Sequence, residues 1–400
     1  MAEGEVNRLA GVENEGPGQR APGRHRVVHM TTVHQPYDVR IFHKECRTLS
    51  RSGYDVTLMV AQPCDEERAG IRLVRVATTR GRLSRMLGAP IKMLRLALRE
   101  KADLYHFHDP ELIPVGLCLK ALGKRVIYDV HEELAQDICD KEWIPRPLRY
   151  PVAAVAYAVE QVAARIFDGI VVSRPALEGR FPRRKTVLAN NFPILGELEQ
   201  PSARRFSDRP PVCAYVGGIN RERGLMEIVR ALGALPDSVA FELHVAGLVE
   251  PANLVRELES MKGWARVRLL GWRSRSQVAE LLNAARFGIV MFLPIANHVR
   301  STPTKIFEYM SAGLPVLATD MPYWKQIIEK SGVGLTVDPK DTAALAGKLQ
   351  WMIEHPEECQ RMGATGFRLV HEKFNWGPEG ARIIGLYEGL LQPRRRPVRS

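Results

Sequence analysis

Arg300-Ser-Thr-Pro-Thr-Lys-Ile-Phe-Glu-Tyr-Met-Ser-Ala-Gly-Leu-Pro-Val-Leu-Ala-Thr-Asp320 reads as a short helix followed by a buried strand, with a cation at the wrong end of the helix. Pro303 suits a first helical turn, Ser301 and Thr302 are suitable caps, and Ala312-Gly313 with Pro315 marks the stop. Lys305 therefore falls where unpaired N–H groups already concentrate positive charge, and an ammonium there costs ~0.3–1 kcal/mol unless an anion is bound. Phosphate is the usual guest of such a site. Glu308 follows one turn further in, on the side of Thr304, where a carboxylate accepts hydrogen bonds from vicinal hydroxyls such as those of ribose. The plain alternative is a solvated lysine on an ordinary surface helix.

Around this segment the chain alternates strand and helix twice over. Val27–Thr32, Asp55–Ala61, Ile71–Val76, Leu104–Phe107, Arg125–Val130 and Gly169–Val172 are short apolar runs separated by amphipathic segments, the pattern of a parallel sheet covered on both faces. A polar, Pro- and Arg-containing stretch intervenes. The alternation then restarts with Val212–Val216, Phe241–Ala246, Val267–Leu270, Phe287–Phe292, Val316–Thr319 and Leu335–Val337, and three more helical segments follow Asp341. The expected architecture is α/β, with two Rossmann-like, doubly wound parallel sheets facing a cleft at the carboxyl ends of their strands. The expected boundaries are a disordered leader at 1–25, a first domain at 26–193, a linker at 194–209 and a second domain at 210–374. A returning helix at 375–391 and a basic tail at 392–400 complete the division.

A chain of 400 residues has room for two cores. Its 57 Lys and Arg against 45 Asp and Glu give a net charge of +12, which favours anionic partners without choosing among nucleotides, nucleic acid and an acidic membrane. The six cysteines form no Cys-x-x-Cys pair, which argues against a zinc ribbon or a disulfide framework and fits a cytoplasmic location. Val152–Phe167, the most apolar helical stretch, contains Glu160, Gln161 and Arg165 and is too short and too charged to span a bilayer.

The polar residues of interest cluster at strand ends. Tyr215-Val-Gly-Gly218 closes the first strand of the second half, and Arg221, Arg223 and Gly224 open the next helix. Gly217 and Gly218 allow backbone N–H groups and guanidinium groups to converge on one spot, although two glycines also suit any tight turn. With the Thr302–Lys305 helix start on a neighbouring strand, two helix termini and up to three cations would surround a diphosphate. In the first half His131 ends a strand and faces the expected cleft, where a histidine orients or exchanges protons; a purely structural role is the alternative. His106 and His108 share a strand face but show no third and fourth ligand, and no Asp-x-Asp occurs in the chain. Metal is therefore not expected, and the protein's own cations must neutralise the diphosphate.

Several segments now carry a resemblance: Thr32-Val-His-Gln-Pro-Tyr-Asp-Val-Arg-Ile-Phe42, His106-Phe-His-Asp-Pro-Glu-Leu-Ile-Pro114, Tyr128-Asp-Val-His-Glu132, Tyr215–Gly224 and, most specifically, Pro303–Val316. From Val27 to about Leu391 the chain resembles the GT-B-fold glycosyltransferases of family four. The resemblance implies transfer of a sugar from a nucleotide-diphosphate sugar held by the second domain to an acceptor held by the first, with retention at the anomeric carbon. The nucleotide sugar is a co-substrate, and no metal or other cofactor is implied. By the same resemblance Glu308 is the ribose-binding glutamate, Lys305 and Arg223 are the diphosphate cations, and His131 is the cleft histidine near the anomeric centre. Trp272 falls at a base-holding position, Thr302 and Thr304 flank the donor, and His34, Asp38, Arg40 and His108 lie on the acceptor side. Two positions depart from the family pattern. Arg300 stands where a glutamate often contacts the donor sugar, and Gly218 stands where a diphosphate arginine is common, leaving Arg221 as the nearest substitute.

The resemblance points to a glycan or lipid-linked acceptor in surface polysaccharide or glycolipid assembly, at the cytoplasmic face of a membrane. The run Arg80–Arg99 interleaves cations with Leu, Ile and Met and suits either an anionic membrane surface or burial on its own sheet. A sugar-nucleotide 2-epimerase of the same fold and a metal-dependent hydrolase built on His106 and His108 are the alternative activities. A nucleic-acid-binding module fits least, because neither stacking aromatics nor a reading helix is evident.

Overall fold

The computed structural model describes residues 24–62, 67–76, 88–141, 144–199, 206–299 and 301–392. Its strands are β1 (Arg26–Met30), β2 (Asp55–Val60), β3 (Glu67–Arg68), β4 (Ile71–Arg75), β5 (Leu104–Phe107), β6 (Arg125–Val130), β7 (Gly169–Val172) and β8 (Thr186–Leu188) in the first half. The second half supplies β9 (Val212–Val216), β10 (Glu242–Ala246), β11 (Val267–Gly271), β12 (Phe287–Val290), β13 (Val316–Thr319) and β14 (Gly334–Val337).

These build an eight-stranded sheet of order β3-β4-β2-β1-β5-β6-β7-β8 and a six-stranded sheet of order β11-β10-β9-β12-β13-β14. Among the described residues every pairing is parallel except the two-residue β3 edge on β4. β5, β7, β12 and β13 are buried at every position, which is why they read as mainly apolar runs, broken only by His106 and Thr319, rather than as alternating strands. The twelve expected strands are all present, with ends shifted by up to two residues. The short edges β3 and β8 were not expected.

In each sheet the winding reverses once, between β1 and β5 and between β9 and β12. The carboxyl ends at those reversals are where doubly wound sheets open a crevice. The second sheet encloses one continuous apolar core. The first has a core on each face, and one of these is completed by Trp376, Ile383, Tyr387 and Leu391 from the last helix, Trp376–Leu391. That helix is fixed to the first sheet by polar contacts as well: Trp376 Nε1 donates to Thr48 Oγ1 at 2.8 Å, and Asn190 N donates to Glu379 at 2.9 Å.

The second core has one tight point beneath the crevice. A Cβ on Gly288 of β12 would lie 2.3 Å from the Tyr309 ring, whose hydroxyl accepts from Val216 N at 3.0 Å and donates to Ile289 O at 3.3 Å. The ring is held at both edges of the β9/β12 junction and has no room to retreat. Gly288→Ala is therefore expected to destabilise the protein by about 1–3 kcal/mol, the usual scale for overpacking. A lowered urea midpoint at unchanged slope is the measurement; an unchanged midpoint would show that Tyr309 yields freely.

Candidate active site

Between the sheets lies a cavity of about 620 Å³, lined from the first domain by Arg40, His131, Ser173 and Arg174 and from the second by Asn220, Arg223, Phe292 and the segment Ser301–Lys305, among others. The helix Thr304–Ser311 starts at its wall. Pro303 occupies the cap position, one residue before the expected first turn, and Ser301 donates instead to His298 O at 3.0 Å. Trp324 Nε1 donates to Ser301 O at 2.7 Å and steadies this approach to the helix.

Lys305 is the exceptional residue. Its ammonium is buried and has no hydrogen-bond acceptor, resting over the rings of Tyr215 at 4.8 Å and Phe292 at 5.2 Å. Burial, with the nearby Arg223 as a second cause, lowers its pKa to about 7. It reaches this seat only because residue 217 is glycine: a Cβ there would lie 2.5 Å from Lys305 Cε and 2.7 Å from Nζ, and Gly217 has a φ of +110°. Arg223 follows on a turn capped by Asn220, whose side chain accepts from Arg223 N at 3.0 Å, and its guanidinium donates to Gly218 O at 2.8 Å. Two cations, a helix start and a glycine turn thus converge at the second sheet's reversal, as expected. Arg221 does not join them. It turns the other way, pairing with Glu257 on the surface.

Thr302 and Thr304 line the cavity. Glu308 lies behind it, buried, and accepts from Arg275 Nη1 at 2.9 Å; Arg275 in turn holds Glu197 through two bonds of 3.0 and 2.7 Å. Trp272 is 68% exposed and is not among the lining residues. Arg300 lies outside the described residues.

On the first-domain side the acceptor candidates separate by burial. Asp38 is a helix cap, accepting from Arg40 N and Ile41 N at 2.8 and 2.9 Å, and His34 leans on Asp109 at 3.2 Å. Arg40 lines the cavity floor, but its guanidinium is spent on Asp129, Glu45 and the Ala189 carbonyl. His108 is fully enclosed. It belongs to a chain of imidazoles in which His131 Nε2 is 3.3 Å from His108 Nδ1, His108 Nε2 is 3.0 Å from His29 Nδ1, and His29 Nε2 is 3.0 Å from Tyr387 Oη. Tyr387 also meets His106 Nδ1 at 2.8 Å. Burial lowers the pKa of His29, His106 and His108 and keeps them neutral. Glu45 is pushed well above the carboxylate range by burial and by Asp129, whereas Asp129 is held well below it because Arg40, His131 and His108 together outweigh its burial.

The fold thus supplies what the sequence reading lacked around His106 and His108: Glu45 and Asp129 complete a set of four donors within 4.8 Å of one another. Arg40 already bridges the two carboxylates, so this set carries its own counter-cation. Arg275, Tyr387, His29 and Glu45 all escaped the sequence reading. No local pattern marks them, since each acquires its partner from a distant segment.

Two family models cover most of the chain, one for glycosyl transferase 4-like domains over residues 39–190 and one for glycosyl transferases group 1 over residues 197–368. The chain belongs to these glycosyltransferases. A curated relative, the MMP alpha-(1->4)-mannosyltransferase of Mycolicibacterium hassiacum, is 22% identical over 75% of this chain and 74% of its own length. Among solved structures, sucrose-phosphate synthase from Thermosynechococcus elongatus superposes with a TM-score of 0.74 at 18% identity, covering 92% of this chain and 99% of that one. HepE of Anabaena in complex with UDP-glucose gives 0.71 at 14% identity over 91% and 99%. At these identities the structural likeness speaks for the shared GT-B fold, and this glycosyltransferase is accordingly a sugar-transferring enzyme.

Lys305 gives the site a pH signature. With a pKa of about 7 in the free enzyme, it is neutral above that pH, and a bound anion would raise the pKa and draw a proton in. Affinity for a nucleoside diphosphate is expected to be flat below about pH 7 and to fall above it, by up to ~10-fold per pH unit. Calorimetry in two buffers of different ionisation enthalpy should register the proton uptake, and pH-independent affinity without uptake would contradict it.

Proposed function

We propose that this glycosyltransferase takes its sugar from a nucleotide-diphosphate donor seated on Lys305, Arg223 and the Thr304 helix start, and that the reaction retains the anomeric configuration without a metal. The observation that carries the proposal is the buried ammonium of Lys305, held without an acceptor at the cavity wall. Burying a cation without a partner is costly unless the site is built for a ligand that supplies the anion. The UDP-glucose held by the HepE neighbour supports a donor of this class.

In the proposed reaction the bond between the anomeric carbon and a β-phosphate oxygen breaks as the acceptor hydroxyl oxygen bonds to that carbon. The hydroxyl proton passes to the leaving phosphate. Negative charge grows on the β-phosphate, where Lys305, Arg223 and the first-turn N–H groups stabilise it in a partly dry crevice. Glu308 holds the ribose when Arg275 shares it, and His131 orients the transferred sugar from the opposite wall. Arg300 is proposed to contact a phosphate oxygen or an acidic or acetamido group of the donor sugar. Donor profiling of Arg300→Glu should then change sugar choice, and an unchanged profile would remove Arg300 from donor recognition.

The acceptor is proposed to be a glycan or a lipid-linked glycan, in polysaccharide or glycolipid assembly on the cytoplasmic side of a membrane. Among the described residues no helix is long and apolar enough to cross a membrane, and the contact proposed is a peripheral one. Lys305→Ala is expected to lower turnover at least ~100-fold, the scale of losing one oxyanion donor, with little change in thermal stability. Turnover near that of the unmodified enzyme would refute the role given to Lys305.

A further inference from the structure

The helix Arg146–Ile166, 21 residues long, carries a surface that the donor reaction does not use. Leu148, Val152, Val155, Val159, Val162 and Ile166 repeat at spacings of four and three, so they form one stripe, and each is between 42% and 65% exposed. Tyr150, at 77%, and Tyr157 are exposed on the opposite side of the helix. At 1.5 Å per residue the stripe runs about 27 Å. Between Arg149 and Arg165 the helix exposes no charged side chain, because its one acid there, Glu160, is buried and accepts from the Tyr128 hydroxyl at 3.0 Å.

An apolar face of this length needs a cover. The 3-4 spacing would suit a second copy of the helix, but the charges at its ends oppose that. Arg146 and Arg149 stand at one end, and Arg165 with the Arg183–Lys185 turn at the other, tied on by Lys185 Nζ donating to Arg165 O at 2.7 Å. Paired in either direction, two copies would bring arginines against arginines, with no exposed acid on the helix to relieve them. A surface that is apolar in the middle and anionic at its headgroups answers both features.

We infer that this face docks on an anionic lipid bilayer, the apolar stripe entering the acyl boundary and the two basic ends meeting headgroup phosphates. The opposite side of this helix, which carries Tyr157, lies toward the reaction crevice. Arg180 rests over the Tyr157 ring at 5.4 Å and pairs with Glu133 at 2.5 Å, two residues from His131. The run at 80–99 is the weaker candidate: residues 80–87 lie outside the described set, and the helix Ala89–Glu100 turns Met93 and Ala97 into the sheet's core.

The test is flotation of the full chain with vesicles of equal parts phosphatidylglycerol and phosphatidylcholine, and with vesicles of phosphatidylcholine alone. Binding is expected to the acidic vesicles and to weaken with salt. The double variant Val155→Glu, Val159→Glu should lose at least ~10-fold in vesicle partition, and Arg183→Ala with Arg184→Ala about the same. Nucleoside diphosphate affinity should be unchanged in both, which reports that the variants fold and keeps this test separate from the donor reading. Failure to float, or flotation unaffected by both pairs of substitutions, would overturn the inference. So would a dimer in sedimentation that the Val155→Glu, Val159→Glu variant converts to monomer.

Discussion

The architecture of the crevice depends on an ammonium buried where the fold offers it no acceptor. Lys305 is placed by three independent features: the helix that starts at Thr304, the missing side chain at Gly217, and the Tyr215 and Phe292 rings beneath its Nζ. They come from two strand connections of the second sheet, Tyr215 and Gly217 from the end of β9 and Phe292 and the helix start from the β12-to-β13 connection, so the position cannot be kept while any of the three changes freely. Aromatic faces attract a cation without neutralising it. The site is therefore preorganised, and the cost of desolvation is already met in folding rather than at the moment of reaction.

The first domain treats its cations the other way. Arg40 is just as buried, yet it is fully engaged by Asp129, Glu45 and a carbonyl, and the imidazoles around it are kept neutral by burial. The chain of contacts from His131 through His108 and His29 ends on Tyr387, a residue of the returning helix more than 250 positions away. Docking of that helix thus fixes the orientation of imidazoles that reach the cavity wall. The last helix does more than close an apolar face; it completes the polar support of the cleft histidine.

The parallel sheets were legible because β7 and β12 are apolar throughout and β5 and β13 are interrupted only by His106 and Thr319, a pattern that local burial imposes directly on sequence. Lys305 was legible for a related reason: a proline, a helix pattern and a lysine in the first turn form a local conflict that needs no knowledge of tertiary contacts. Arg221 and Arg223 were not separable that way. They stand two residues apart on one turn, and only the fold decides that the first turns to Glu257 and the second to Gly218. Asp38 caps the helix it precedes, a role the sequence does not separate from binding, since a capping aspartate and a binding aspartate look alike until the N–H groups they bond are placed. β3 and β8, of two and three residues, leave too few positions for any periodic signal.

Buried charge by itself does not mark function in this protein; what marks it is whether the charge is answered. Glu45, Asp129, His106 and His108 gather more ionisable atoms into one place than the cavity wall around Lys305 does, and on composition alone they would be the stronger candidate. Arg40 removes the imbalance there, so the cluster can be stable with nothing added. At Lys305 the stronger charged influence is another cation, Arg223, and the carboxylate one turn away, Glu308, is engaged by Arg275. With Asp129 and Glu45 engaged by Arg40 and Glu308 by Arg275, Lys305 and Arg223 face the cavity as cations, and a diphosphate is the size and charge that would answer them.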